Sequence, residues 1–415
     1  MLKILHTADW HLGKRLHKHD LLSDQLHFLN FLETYLLEQK IDVLLVSGDI
    51  FDTAYPPLSA LEAYNNHLAQ LFKQEYPRYV IITDGNHDGR TTLKVPKQLL
   101  ASLNTTVVCE LDEERGNHLI PITNTDGTLA AYVVAVPFLR ELDLRKSVLI
   151  EGEVDRLQAI RQGIQGVYQQ LAEEVEQVTK ERTIPVVATG HLYVQGAEAA
   201  DSDAERPVQI GHQAGVQTEV FSEAFDYVAL GHIHKAQQLK GNTDIRYSGS
   251  PYPLSFSERN YTHQMWLLHV GASAVEKVES VLLPIARRFK QFNGTFEQVK
   301  EKVTVYAAQT DSLFTDLLAL QIEEEAYDPS LRYTIDQWRM ELHEQTETVQ
   351  IVKYSLHFQQ ETQNAAELLK GERIKQEDFN AQKVFEARLQ DEVSMPEDEK
   401  EILREAFMQL LEQNG

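Results

Sequence analysis

Apolar positions along the first two thirds of the chain switch repeatedly between two periods. Residues 2–7 are apolar on both faces and predict a buried strand. Residues 21–37 then place Leu22, Leu26, Leu29, Leu32 and Leu36 at helical spacing, with Phe28, Phe31 and Leu37 widening the stripe. The cycle repeats, with strands expected over 43–47 and 79–83 and helices over 58–72 and 93–103. Strands buried on both faces and separated by amphipathic helices predict an α/β sheet covered by helices. Further strands are expected at 106–109, 131–136, 184–189, 227–230, 245–248 and 265–270, with a long polar-faced helix at 156–178. The late strands follow one another without helices, and residues 275–283 alternate in part, so antiparallel pairs should finish two packed sheets.

After Pro284 the pattern changes. Segments 303–308, 313–322, 335–342 and 349–358 predict a small α+β domain. Farther on, Asp378 or Asn380 can cap a helix carrying Phe379, Val384, Phe385 and Leu389. Ser394 and Pro396 can start another with Ile402, Leu403, Phe407, Leu410 and Leu411. Two short amphipathic helices cannot bury both stripes against each other alone, so they need the parent domain or another protein.

The chain has 415 residues, 42% hydrophobic and 25% charged, which implies two or three units of a soluble globular protein. No apolar run reaches the ~18 residues of a membrane span, and the first residues carry no cleavage site, so neither a span nor a signal peptide is expected. The single cysteine, Cys109, follows Val107 and Val108 and reads as a core thiol in a reducing cytoplasm. A net charge of −24 argues against gathering nucleic acid by broad attraction. A DNA substrate would need metal ions, a partner or a local basic patch, for which Arg287, Arg288 and Lys290 are candidates.

Polar groups of a particular kind stand at strand ends: Asp9 and His11 in ADWHLG, Asp49 in SGDIFD, Asn86 and His87 in DGNHDG, His191 in TGH, and His232 and His234 in GHIH. At the carboxyl ends of α/β strands, groups distant in sequence converge. Asp9 and His11 are two apart and point the same way from an extended segment. Carboxylate, amide and imidazole donors together suit Mn²⁺, Fe²⁺ or Zn²⁺ better than Mg²⁺. Asp9, His11, Asp49, Asn86, His191, His232 and His234 make seven candidate ligands, too many for one tetrahedral ion, and fit two ions sharing Asp49, about 3.5–4 Å apart. Such a pair activates a water and neutralises phosphoryl oxygens during in-line displacement. Asp52 and Asp88 are expected either to orient a ligand imidazole or to hold a cap or loop, and Arg90 either to meet a phosphate or to form a salt bridge. His212 repeats the Gly-His pattern in a polar loop. His6, His17, His19, His27, His263 and His269 are expected to be ordinary surface or hydrogen-bonded residues.

The set DWHLG, GDIFD, GNHD, TGH, LGHIH and YSGSPYPLSF resembles the calcineurin-like metallophosphoesterases over residues 1–283. GDIFDTAYPP, Ser202 with Asp203, and GSPYPLSF narrow the resemblance to the family's nuclease subunits that join a coiled-coil ATPase. Asp84, where the family usually carries a small residue, either adds negative charge near the site or points away. The resemblance implies an α/β fold, a two-sheet metallophosphoesterase sandwich with outer helices, a small α+β second domain and a C-terminal helical pair. It implies a nuclease domain at 1–283, a small DNA-positioning domain at 284–370 and a helix-loop-helix docking segment for the ATPase at 371–415. Asp9, His11, Asp49 and His234 would hold the first metal, and Asp49, Asn86, His191 and His232 the second. His87 would meet the scissile phosphate and protonate or stabilise the departing oxygen. The implied activity is ATP-dependent double-strand exonuclease and single-strand or hairpin endonuclease cleavage in DNA repair, replication or recombination. Two divalent ions, Mn²⁺ foremost, would serve it, with ATP on the partner. The implied assembly is a cytoplasmic, DNA-associated homodimer within a heterotetramer, acting on DNA ends and hairpins. The alternatives are a non-DNA metallophosphoesterase with residues 284–415 as a lid, and a non-catalytic scaffold for an ATPase.

Overall fold

The computed structural model describes residues 1–94, 104–144, 153–180, 183–199, 215–358, 400–401, 403–404 and 407. The chain forms two compact units: Met1–Ile322 with Tyr333–Ser355, and Glu323–Arg332 with Leu356–Gly415.

The first unit contains two six-stranded sheets. One runs, edge to edge, Val275–Leu282, Gln264–Val270, Leu2–Thr7, Val43–Ser47, Tyr79–Thr83 and Thr105–Val108. The other runs Gln237–Leu239, Asp244–Tyr247, Tyr227–Gly231, Val186–His191, Leu129–Val134 and Leu119–Thr123. Central strands are parallel, and antiparallel partners such as Gln264–Val270 with Val275–Leu282 close the edges, as the helix-free late strands predicted.

The two-residue period of a strand sorts each apolar run onto two cores. Val43 and Leu45 face the opposite sheet and share a core with Ala131, Val187, Tyr227 and Ala229. Leu44 and Val46 face outward under the helices Leu22–Glu38 and Leu58–Leu71. On the far side Val186, Ala188, Val228 and Leu230 pack with Ile164, Leu171 and Val175 of the helix Glu153–Thr179. The layers are therefore helix, sheet, sheet, helix, and the parallel strands direct their carboxyl ends to one end of the sandwich.

The Leu22–Glu38 helix departs from its expected stripe. Leu26 is 42% exposed, whereas Asp24 and Gln25 are buried. Gln25 Oε1 accepts from Gly13 N at 3.1 Å, tying the helix to the loop after His11. Asp24 receives the guanidinium of Arg287 in a forked pair, Nε to Oδ1 3.1 Å and to Oδ2 3.0 Å. Arg287 is thus an interior residue whose charge is already matched, and Arg288 pairs with Asp311 Oδ1 at 2.8 Å. Carboxylates thus match two of the three expected basic residues, while Lys290 Nζ lies 6.0 Å from the centroid of the Tyr306 ring.

A three-stranded sheet follows, ordered Phe289–Gly294, Asp316–Glu324 and Val349–Phe358, with helices Phe296–Gln309 and Leu331–Gln345. Thr295 and Gln298 form a capping box at the first of these helices. Phe289 and Leu317 join Leu16 and Leu21 in a small core. In the second unit the rings of Tyr327 and Phe358 meet edge to face, centroids 5.2 Å apart. Cys109 is a buried free thiol. Ser202, Asp203, His212 and most of the expected C-terminal helical pair lie outside the described residues. Among the described residues no helix is long and apolar enough to cross a membrane.

Candidate metal centre

The sites chosen from sequence meet where the two sheets end together. The first sheet presents Asp9, His11, Asp49, Asn86 and His87 from loops that leave its parallel strands; the second presents His191, His232 and His234. Four of these residues lie in the left-handed region that side-chain-bearing residues avoid: Asp9 at φ 55°, His11 at 45°, Asp49 at 52° and His232 at 100°. That conformation costs about 1–2 kcal/mol per residue, and it persists only where neighbours over-determine it. Here they do. Asp9 N donates to Gly48 O at 3.0 Å, His11 N to Asp49 O at 3.0 Å, and His232 N to Asp9 Oδ1 at 2.9 Å. Two glycines permit the approach. Gly48 sits at φ +86°, and a Cβ there would stand 2.2 Å from His191 Nδ1; one on Gly231 would stand 2.0 Å from Ser47 O.

Ligand atoms of Asp9, His11 and His234 lie within 4.8 Å of one another, as do those of Asp9, Asp49 and His191, and those of His11, Asp52 and His87. Asp49 Oδ2 stands between imidazoles, 3.5 Å from His11 Nε2 and 3.2 Å from His191 Nε2. Asn86 Oδ1 lies 3.0 Å from both His191 Nε2 and His232 Nδ1. His191 Nδ1 donates to Ser47 O at 2.9 Å. A carbonyl can only accept, so neutral His191 carries its lone pair on Nε2, facing two oxygens that also offer lone pairs.

Such a cluster calls for positive charge. Burial pushes the His191 imidazole down, but the Asp49 carboxylate outweighs burial and raises it to about 9. Burial likewise raises Asp9 to about 7 against the pull of His191 and His234. Asp9 Oδ2, His11 Nε2 and His232 Nε2 are buried without a hydrogen-bond partner among the described residues. Each such atom costs about 1–3 kcal/mol, and divalent ions would remove the cost. The donor set fits two of them.

The supporting residues resolve the alternatives left by sequence. Asp52 Oδ1 lies 3.2 Å from His11 Nδ1 and 3.0 Å from Lys14 Nζ, so it orients an imidazole. Asp88 braces the loops: its carboxylate accepts from Ile50 N, Phe51 N and Gly85 N at 3.1, 2.9 and 2.9 Å. Asp84 turns to Phe138 N, 3.0 Å, and to Arg140, 3.6 Å; burial and then Asp88 hold its carboxyl well above the ordinary range. Arg90 is salt-bridged to Asp143. His87 N donates to Asp49 Oδ1 at 2.9 Å, and His87 Nδ1 lies 2.7 Å from Asp52 O. Sequence reasoning missed Glu258, fully buried beneath His234, because nothing in the SFSERN stretch marks a partner twenty-four residues back.

Comparison with known proteins agrees with this geometry. The family model of the calcineurin-like phosphoesterases matches residues 2–236. The chain is 33% identical over 298 residues to SbcD of the nuclease SbcCD from Escherichia coli (strain K12), covering 72% of each chain. It is 35% identical over 282 residues to the protein of that name from Rhodobacter capsulatus, covering 66% of this chain and 68% of that one. The Bacillus subtilis (strain 168) protein is 33% identical over 310 residues, covering 71% and 74%. With these matches added to the ligand clusters at the joint end of its sheets, the chain belongs to the calcineurin-like phosphoesterases and is a metal-dependent phosphoesterase.

Proposed function

We propose that this chain is the nuclease component of an SbcCD-type complex, a Mn²⁺-dependent DNA phosphodiesterase acting on ends and hairpins in DNA repair, replication or recombination. The observation that carries the metal chemistry is Asp49 Oδ2 standing between His11 Nε2 and His191 Nε2. Asp9, His11, Asp49 and His234 would hold one ion, and Asp49, Asn86, His191 and His232 the other. When bound, the ions supply an activated water and offset charge on the phosphoryl oxygens. His87 faces the phosphate and donates to the departing oxygen.

The DNA reading draws on the relatives' shared name and on a local exception to the acidic surface. A cavity of about 340 Å³ is lined by His17, Lys18, His19, Arg339 and His343 together with apolar and amide residues, and among the described residues no carboxylate lines it. His17 and Lys18, at φ 46° and 74°, are the exposed two-residue turn joining Arg15–Leu16 to His19–Asp20. A homodimer carrying SbcC-like coiled-coil ATPase subunits in the cytoplasm completes the proposal. Within it residues 1–283 cut, residues 284–370 position DNA and residues 371–415 dock the ATPase.

The test is cleavage of linear, hairpin and closed circular DNA by wild type and Asp49→Asn in Mn²⁺. We expect wild type to cut linear and hairpin DNA and the variant to fall to background with its fold intact. A wild type that hydrolyses small phosphoesters and leaves every DNA whole would overturn the DNA reading, and full cleavage by the variant would overturn the site.

A further inference from the structure

We propose that Glu258 is a positioning residue for His234, fixing which ring nitrogen His234 offers to Asp9 and His11 and strengthening it as a metal donor. The inference rests on the dimetal reading above and adds to it a residue outside every motif.

Glu258 ends a short turn, Phe256–Glu258, and is 0% exposed. Its carboxylate is held from both sides. Oε2 accepts from Leu254 N at 2.9 Å and lies 3.5 Å from Ser250 Oγ; Oε1 accepts from Ser255 Oγ at 3.1 Å and lies 3.1 Å from His234 Nδ1. The His234 ring packs edge to face on His11, centroids 5.0 Å apart. With Nδ1 engaged by Glu258, Nε2 is the ring nitrogen that His234 can offer to the Asp9 and His11 cluster.

The serines and the amide would be satisfied by a glutamine. What the carboxylate adds is a full negative charge behind one imidazole. Other site histidines differ in this respect: His191 and His87 place Nδ1 against the neutral carbonyls of Ser47 and Asp52. Only His11, backed by Asp52, and His234, backed by Glu258, have carboxylates there among the described residues, and both belong to the Asp9 cluster. A carboxylate behind a ligand imidazole fixes its tautomer and raises its basicity, and removing one typically costs 10–100-fold in metal affinity.

The experiment is calorimetric titration of full-length wild type and Glu258→Gln with Mn²⁺ alone, with thermal unfolding of both in chelator. We expect two binding events in wild type. In the variant one should weaken about 10–100-fold, the other should stay unchanged, and the unfolding midpoint in chelator should be preserved. Ser250→Ala, which keeps the charge and removes one of its supports, should weaken the same event by less; this variant decides the matter if Glu258→Gln does not fold. Two unchanged events in Glu258→Gln, or equal weakening of both, overturn the positioning role. A wild type that takes up no Mn²⁺ overturns the dimetal reading itself.

Discussion

The Nδ1 atom of His87 must carry a proton, because the Asp52 carbonyl 2.7 Å away can only accept. Its Nε2 therefore donates to a departing oxygen only as part of an imidazolium. Replacing His87 with alanine should leave two Mn²⁺ bound per chain by elemental analysis while turnover falls about 10²–10⁴-fold, the usual worth of general-acid catalysis. Loss of one ion instead would reassign His87 as a ligand. A second residue, His6, contributes to acid sensitivity, as do His11 and His232, whose imidazoles burial also lowers. It lies wholly between the sheets with Nδ1 3.0 Å from the Tyr227 hydroxyl, and burial lowers it to about 3. The unfolded chain takes up this proton near pH 6.5, so the stability is complete above that pH and drains away as pH falls toward 3. The window is worth on the order of 4–5 kcal/mol. Urea unfolding of His6→Asn should show a shallower loss between pH 6.5 and 4 than wild type; parallel profiles would remove His6 from the account.

At the level of elements, legibility followed how far each signal was local. Val43–Ser47 and Tyr227–Gly231 were readable because both faces of each strand are apolar. Leu119–Thr123 was missed because Pro121 interrupts it at a sheet edge, where a missing donor is tolerated. Phe289–Gly294 was missed because most of its side chains are exposed and polar. The site motifs were legible as short strings of donors after apolar runs. Glu258 and Arg140 were not, since their contacts exist only once separate loops have closed on each other. The Arg287–Asp24 pair shows the same limit: each residue looks like surface charge, and 263 positions separate them. Removing one partner of a buried ion pair costs about 3–5 kcal/mol because the other is stranded. Arg287→Met should lower urea stability by that amount, and Asp24→Leu added to it should recover a large part. An unchanged single variant would show the pair to be ornamental.

For the molecule as a whole, the proposed action on DNA requires an acidic chain to confine its attraction to small regions. The candidate is the cavity lined by Lys18 and Arg339, the latter 4.0 Å from Asp336 Oδ1, on a background of −24. Each phosphate contact contributes about one unit to the slope of log affinity against log salt. Lys18→Ala with Arg339→Ala should therefore weaken duplex binding and flatten that slope by about two units, measured by fluorescence anisotropy with Ca²⁺ in place of Mn²⁺. An unchanged slope would send the DNA elsewhere on the surface.

The division of donors between the sheets has a further consequence during synthesis. A nascent chain that has just passed Asn86 owns four of the seven donors, and the last donor arrives at His234. Translation thus withholds the complete donor set until a little over half of the chain has been made, and a fragment truncated before that point is born disarmed.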